Sequence, residues 1–143
     1  MQWSYPVFRV GGTEIRIHLT FLMLLAWIGI AYFQEGGTAA AIEGVGFIVA
    51  VFACVVLHEL GHATAARRYG IGTRRITLLP IGGVAELERL PEKPLEEVVV
   101  ALAGPLVNVV IAAFLIVVLG AAVGAEALTS MEDPRVAFVA RLA

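Results

Sequence analysis

Three residues within five positions have the types and the spacing to form a catalytic metal site. His58, Glu59 and His62 occur in the run His58-Glu59-Leu60-Gly61-His62. Side chains four residues apart share one face of a helix, so both imidazoles can reach a single ion, and the glutamate between them can work on a water at that ion. The pattern predicts that His58 and His62 bind Zn²⁺ and that Glu59 is the general base of a peptide hydrolysis.

The surroundings of this motif are apolar. It lies near the end of a hydrophobic segment, residues 44–66, and no charged residue occurs between Val45 and Leu57. Such a segment is typical of a helix that crosses a lipid bilayer. Ionisable groups at membrane depth are costly and usually functional, so a polar cluster without a metal is the weaker interpretation. The sequence therefore predicts zinc chemistry within a membrane.

The composition agrees with a membrane location. The chain has 143 residues, of which 59% are hydrophobic and 15% charged, and its mean hydropathy is +0.89. These values indicate an integral membrane protein. The net charge is −2 and basic residues form no extended run, so nothing indicates a nucleic-acid partner. The single cysteine, Cys54, excludes a disulfide within the chain.

The apolar segments predict a mainly α, polytopic membrane protein. We expect transmembrane helices over residues 19–33, 44–66 and 95–123, and the start of a fourth over residues 131–143. We interpret residues 1–143 as a single transmembrane metalloprotease core that is cut short at its C-terminal end.

Two hairpins are expected between the helices. Residues 5–17 alternate between apolar and polar around Gly11-Gly12, which predicts a short N-terminal β-hairpin at the membrane surface. Residues 73–90 contain two β-prone runs around Pro80-Ile81-Gly82-Gly83. This second hairpin suits backbone that dips toward membrane depth against protein, and the alternative is a cytosolic loop with a turn.

Positive charge orients the predicted helices. Lysine and arginine number two before the first predicted helix, none over residues 34–43, six over residues 67–93 and none over residues 124–134. By the positive-inside rule the N-terminus and residues 67–93 are cytosolic. The motif then lies on the cytosolic side of the bilayer centre.

A zinc site of this kind needs a third protein ligand. Cys54 is one turn before His58, which places it too far along the helix from His62, and Asp133 is predicted on the opposite face of the membrane. In the third predicted helix, Gly104-Pro105 precedes Asn108 by one turn. Either the helix is kinked and its asparagine binds a neighbouring helix, or the kink brings Asn108 to the metal cavity.

The motif in a predicted membrane helix, the Gly82-Gly83 hairpin and the run Ala103-Gly104-Pro105-Leu106-Val107-Asn108 together resemble the site-2 protease family of intramembrane zinc proteases. The resemblance covers nearly the whole chain. It implies zinc binding by His58 and His62 and activation of water by Glu59.

The resemblance also assigns roles around the metal. It implies that Asn108 lies near the active site and helps to place the substrate or the oxyanion. It further implies that the second hairpin, through Gly82, Gly83 and Val84, pairs with an unwound transmembrane substrate. That pairing is reasonable, because a peptide bond in a helix is shielded by its own hydrogen bonds and strand addition holds a peptide extended.

One family feature is missing. The third ligand of the family is an aspartate in a Leu-Asp-Gly type motif of the following helix, and this sequence contains no such motif. We therefore weigh two main hypotheses, an intramembrane zinc metalloprotease that cuts transmembrane substrates near the cytosolic side, and a catalytically incomplete homologue that binds membrane helices without cutting them. A metal transporter is a weaker third, since it leaves Glu59 without a role.

The expected partners are a transmembrane protein substrate and the lipid bilayer, and self-association is left open. The expected location is a prokaryotic cell membrane, with the N-terminus in the cytosol.

Overall fold

The computed structural model describes residues 3–132, with side-chain surroundings as far as residue 129. Two long helices and four short strands make up this part of the chain. In chain order they are β1 (Ser4–Val10), β2 (Thr13–His18), α1 (Leu19–Arg68), β3 (Thr73–Leu79), β4 (Gly82–Leu87) and α2 (Pro94–Glu132).

The two predicted hairpins are present, and they join into one sheet. Its strand order is β1-β2-β3-β4, with antiparallel pairs within each hairpin and a parallel pair between β2 and β3, where Ile15 lies opposite Ile76. The turn at Gly11 and Gly12 has positive φ at both residues, 53° and 85°, as a two-residue hairpin turn of the primed type requires. Because β4 is the last strand in this order, its outer edge is unpaired within the described residues.

Helix α1 reverses direction within its length. Gly36 and Gly37 have non-helical backbone angles, and Gly37 has φ 74° and ψ −157°, a conformation open essentially to glycine alone. The segments on either side pack antiparallel, since the rings of Phe21 and Phe52 lie 4.3 Å apart between centroids and Gly44 lies against the ring of Tyr32. The predicted connection over residues 34–43 is wrong in length, because two glycines suffice to turn the chain.

Both helices have the length and composition needed to cross a membrane, α1 over its 50 residues and α2 over residues 94–129. Helix α2 continues through Gly104 and Pro105, so the expected interruption there is not a break in the helix. The number of membrane crossings stays a prediction, and so does the single core over residues 1–143. The predicted start of a fourth helix at residues 131–143 lies largely outside the described residues.

The sheet lies along the second segment of α1, residues 38–68. A buried cluster joins the two, with Ile15 and Ile76 from the sheet and Phe52 and Val56 from the helix. The start of β4 lies near Glu59, because a Cβ built on Gly83 would be 2.8 Å from its Cγ atom. A second buried cluster of Ala66, Ile71 and Val100 joins the end of α1 to the first turns of α2. The motif is thus held between the sheet and α2.

Candidate active site

The two motif histidines converge on one point. Their Nε2 atoms lie 3.1 Å apart, and their rings are 4.7 Å apart between centroids at an interplanar angle of 83°. This arrangement follows from their spacing of four residues on α1, which stacks the side chains on one face. Both rings are partly buried, and the Nδ1 atom of His58 is buried without a hydrogen-bond partner in the part of the chain that the structure describes.

A backbone carbonyl of α2 orients the second histidine. The Nδ1 atom of His62 lies 2.7 Å from the carbonyl oxygen of Val100. Because a carbonyl oxygen only accepts, Nδ1 carries the proton and donates it, and the Nε2 atom of the neutral ring keeps its lone pair. This is the arrangement in which a metal-binding histidine is held by a second hydrogen bond. The Val100 carbonyl therefore holds His62 in the orientation that a metal ligand would need.

Gly104 of α2 lies directly against both imidazoles. A Cβ on this residue would collide with Nε2 of His62 and would lie 2.5 Å from its Cε1 atom and 2.8 Å from Nε2 of His58. Such a methyl group would occupy the space between the two nitrogen atoms. The missing side chain of Gly104 thus leaves the place that an ion bound to both histidines would need.

A second glycine brings the two helices together. A Cβ on Gly61 would lie 2.7 Å from Cγ2 of Val107 and 2.9 Å from the backbone oxygen of Ala103. Gly61 therefore allows α1 to approach the backbone of α2 closely at the level of the motif. Without this approach neither Val100 nor Gly104 would reach the histidines.

The histidine pair fits zinc. Two ligands of a tetrahedral zinc ion, at about 2.0 to 2.1 Å from the metal, are about 3.3 Å apart, close to the observed separation of the Nε2 atoms. The described residues contain no group of three histidine, cysteine, aspartate or glutamate side chains that could hold a metal. Asp133 lies outside the described residues. Hence His58 and His62 could supply two ligands of a zinc site, and the described residues show no third.

Glu59 packs against strand β4, whereas the two histidines lie against helix α2. Its side chain is half-buried and packs over the backbone of β4, where its Cγ and Cδ atoms are 2.8 and 3.4 Å from the position of a Cβ on Gly83. A side chain on Gly83 would displace it. Gly83 therefore makes room for the carboxylate at the start of the edge strand.

Gly82, Gly83 and Val84, which we expect to bind substrate, are the first three residues of strand β4. Gly82 has φ 135°, and nothing lies within 4 Å of the position of its Cβ. Val84 is 41% exposed. The structure thus brings Gly83 to Glu59 and leaves Gly82 and Val84 at the open edge of the sheet.

Asn108 is exposed, and it lies one helical turn after Gly104. The structure shows no contact between its side chain and the motif among the described residues, and its assigned role stays a prediction. Cys54 is an unpaired, partly buried residue of α1.

Sequence reasoning missed the contributions of Gly61, Gly104 and the Val100 carbonyl. A glycine inside a helix costs about 1 kcal/mol relative to alanine, so Gly61 between two histidines was a signal of close packing. The run Gly104-Pro105 in the sequence indicates only a kink and not a contact with the histidines. The carbonyl of Val100 carries no sequence signal, because every residue has one.

The model of peptidase family M50 matches residues 46–141 of the chain. A zinc metalloprotease of Methanocaldococcus jannaschii is 36% identical over 119 residues, which are 82% of this chain and 33% of that protein. Stage IV sporulation protein FB of Bacillus subtilis is 40% identical over 97 residues, 67% of this chain and 30% of that protein. The chain thus spans about a third of the length of these relatives.

The fold agrees with the sequence relatives. The solved site-2 protease from Methanocaldococcus jannaschii superimposes with a TM-score of 0.66 at 35% sequence identity, over 81% of this chain and 51% of that one. The range matched by the family model, residues 46–141, includes the motif, the second hairpin and the start of α2. The chain belongs to peptidase family M50, the site-2 protease family.

Proposed function

We propose that the chain forms part of an intramembrane zinc metalloprotease that hydrolyses peptide bonds of transmembrane substrates near the cytosolic side. The observation that carries this proposal is the 3.1 Å separation of the His58 and His62 Nε2 atoms beside the gap at Gly104. The names of the relatives, zinc metalloproteases, support the metal and the reaction class.

His58 and His62 would hold the metal through Nε2. Bound there, zinc would act as a Lewis acid that lowers the pKa of a coordinated water and polarises the substrate carbonyl. The Val100 carbonyl keeps the proton of His62 on Nδ1, which leaves Nε2 for the metal. The buried Nδ1 of His58 has no such partner among the described residues.

Glu59 is the proposed general base. Its carboxylate would accept a proton from the attacking water and deliver it to the amine of the leaving product. The half-buried position beside Gly83 limits the conformations of its side chain and places it where the edge strand begins. A peptide bound along the edge of β4 would therefore lie close to this base.

The substrate is proposed to add to the open edge of β4. A transmembrane helix shields its peptide bonds, and an extended peptide hydrogen-bonded to an edge strand exposes them. Gly82, Gly83 and Val84 would pair with it next to Glu59, and Asn108 would help to place the substrate or stabilise the oxyanion. The unpaired edge of β4 and the exposure of Val84 support this arrangement.

The proposed setting is a prokaryotic cell membrane with the N-terminus in the cytosol. Two apolar helices and the family support a membrane protein. The charge distribution over residues 67–93 supports the orientation. The proposed partners are the bilayer and a transmembrane protein substrate, and a second copy of the chain remains an open partner.

Replacing the base tests the proposal. Glu59→Gln keeps the shape of the side chain and removes its basicity, so we expect zinc content to be retained and cleavage of a single-span reporter to fall by at least about 100-fold. The assay uses membranes from cells that express the protein. Glu43→Gln is the matched control, because Glu43 is an exposed carboxylate on the same helix. Undiminished cleavage by Glu59→Gln would refute the assignment of the base.

The alternative is a homologue that binds membrane helices without cutting them. It is favoured by the lack of a third ligand among the described residues. Zinc analysis of the protein expressed from the full gene separates the two, since the alternative predicts far less than one zinc per chain and no cleavage.

A further inference from the structure

A cavity with a mixed polar and apolar lining lies at the Arg67 end of α1, along the face of that helix that carries Leu60, Ala63 and Thr64. Its volume is about 340 Å³, and it is a half-open cavity bordered by the end of α1, the β1–β2 turn and the segments that flank the second hairpin. Its polar and glycine lining residues include Gly11, Gly12, Thr13, Arg67, Thr73 and Glu88. This space is large enough for several waters or for a small polar ligand.

Two opposite charges line this cavity on exposed residues, Arg67 and Glu88, and neither has an ion-pair partner within the described part of the chain. The guanidinium of Arg67 lies beside the turn, with one nitrogen 3.1 Å from the position of a Cβ on Gly11. The carboxylate of Glu88 lies over Gly72, whose Cβ would be 2.9 and 3.0 Å from its two oxygen atoms. The ion pairs found among the described residues of the sheet involve neither Arg67 nor Glu88.

A buried hydroxyl provides independent evidence that the cavity has unmet hydrogen-bonding capacity. Thr73 is 9% exposed, and its Oγ1 atom is buried without a hydrogen-bond partner among residues 3–132. The neighbouring Thr13 is already used, because its hydroxyl donates to the Thr73 carbonyl at 3.0 Å. Buried polar atoms without partners are rare in folded proteins and often mark a water, ion or ligand site.

The position of the cavity at the end of an apolar helix indicates which class of ligand it would bind. Arg67 and Arg68 end an apolar helix that is long enough to span a bilayer, and basic residues at such ends lie at the level of lipid phosphates. An arginine suits a phosphate, and an unpaired carboxylate suits a primary ammonium group.

We propose that this cavity binds a zwitterion that carries a phosphate and a primary ammonium group. Arg67 binds the phosphate beside the Gly11-Gly12 turn, and Glu88 binds the ammonium group. The same chemistry is available from a phosphatidylethanolamine headgroup and from free phosphoethanolamine. The proposal does not depend on proteolysis, and it assigns a role to the N-terminal hairpin, which no step of the proposed reaction uses.

Binding measurements on the purified chain test this site. In the lipid arm, the chain in nanodiscs is assayed for retention of phosphatidylethanolamine, phosphatidylcholine and phosphatidylglycerol. In the soluble arm, free phosphoethanolamine is titrated into the chain in detergent. We expect preference for phosphatidylethanolamine over both other lipids, since phosphatidylcholine lacks N–H donors and phosphatidylglycerol lacks the cation. Binding of only the lipid or only the free compound identifies the source.

Variants connect the binding to the cavity. We expect Arg67→Gln to weaken binding of the phosphate compound about 10-fold or more, and Glu88→Gln to remove the preference over phosphatidylcholine. Arg68→Gln and Glu92→Gln are matched controls, because these exposed residues are near neighbours that do not line the cavity. Arg67→Lys checks folding and retains part of the binding. Equal binding by wild type, Arg67→Gln and Glu88→Gln, or no binding in either arm, overturns the proposal.

Discussion

Replacing Gly104 by alanine would place one methyl group at the centre of the histidine pair. The Cβ would be 2.5 Å from Cε1 of His62 and 2.8 Å from Nε2 of His58, where an ordinary contact is about 3.5 Å or longer. Relief requires a shift of about 1 Å in α2 or in an imidazole. Metal sites tolerate only about 0.2 Å in ligand distances, so we expect zinc affinity to fall at least about 100-fold, or about 2.7 kcal/mol.

Helix propensity predicts the opposite result for Gly104→Ala, so the measurement separates the two effects. Glycine to alanine inside a helix normally stabilises by up to about 1 kcal/mol, so helix propensity alone predicts a slightly more stable protein with unchanged zinc binding. Gly120→Ala is the matched control, because it lies in the same helix and nothing is within 4 Å of the position of its Cβ. We expect the control to retain zinc and to show only the effect of propensity.

The assay is equilibrium dialysis of the purified protein against buffered zinc, followed by metal analysis, with thermal unfolding in detergent as a check on folding. The geometry predicts zinc loss in Gly104→Ala from a protein that still unfolds cooperatively. If Gly104→Ala binds zinc as tightly as wild type, the site is not where the two Nε2 atoms converge, and the reasoning is refuted.

Three further predictions concern folding. Gly61→Ala would press against the Ala103 carbonyl and should destabilise the protein by about 1 to 3 kcal/mol, measured by thermal unfolding; a neutral effect would contradict the close helix approach. Gly37→Ala should cost about 1 to 3 kcal/mol because of its φ of 74°, whereas Gly46→Ala, with open space around its Cβ, should not destabilise. The hydrogen bond from Arg16 holds the pKa of the Glu14 carboxyl below its ordinary value of 4.5, so this group adds stability above that value, and the contribution is lost as the pH falls through the lowered pKa. Unfolding of Glu14→Gln between pH 3 and 7 should lack this small component, and an unchanged profile would contradict it.

The residues of the candidate site and their spacing were readable from the sequence. The spacing of His58 and His62 places two imidazoles on one face wherever the segment is helical, and an apolar setting makes ionisable groups there functional. Both hairpins were also predictable, because glycine pairs and alternating residues act over a few positions. The family match confirms the resemblance that these motifs indicated.

The pairing of the hairpins was not predictable. Strands β2 and β3 are separated by the 50 residues of α1, and no local pattern states that Ile15 lies opposite Ile76. The sequence predicts a connection over residues 34–43 but does not locate the reversal at Gly36 and Gly37. The helical pattern on both sides is uniformly apolar and has no clear ends.

The sequence by itself determined that two imidazoles and a carboxylate lie within one turn of an apolar helix, since helical periodicity is a local property of the chain. Tertiary structure decided what surrounds them. The approach of α2 provides the Val100 carbonyl for His62 and the gap at Gly104 between the two nitrogen atoms, and the sheet provides Gly83 beneath Glu59. These contacts join residues 24 to 46 positions apart, and they depend on how closely two backbones can pack, which residue spacing alone does not encode.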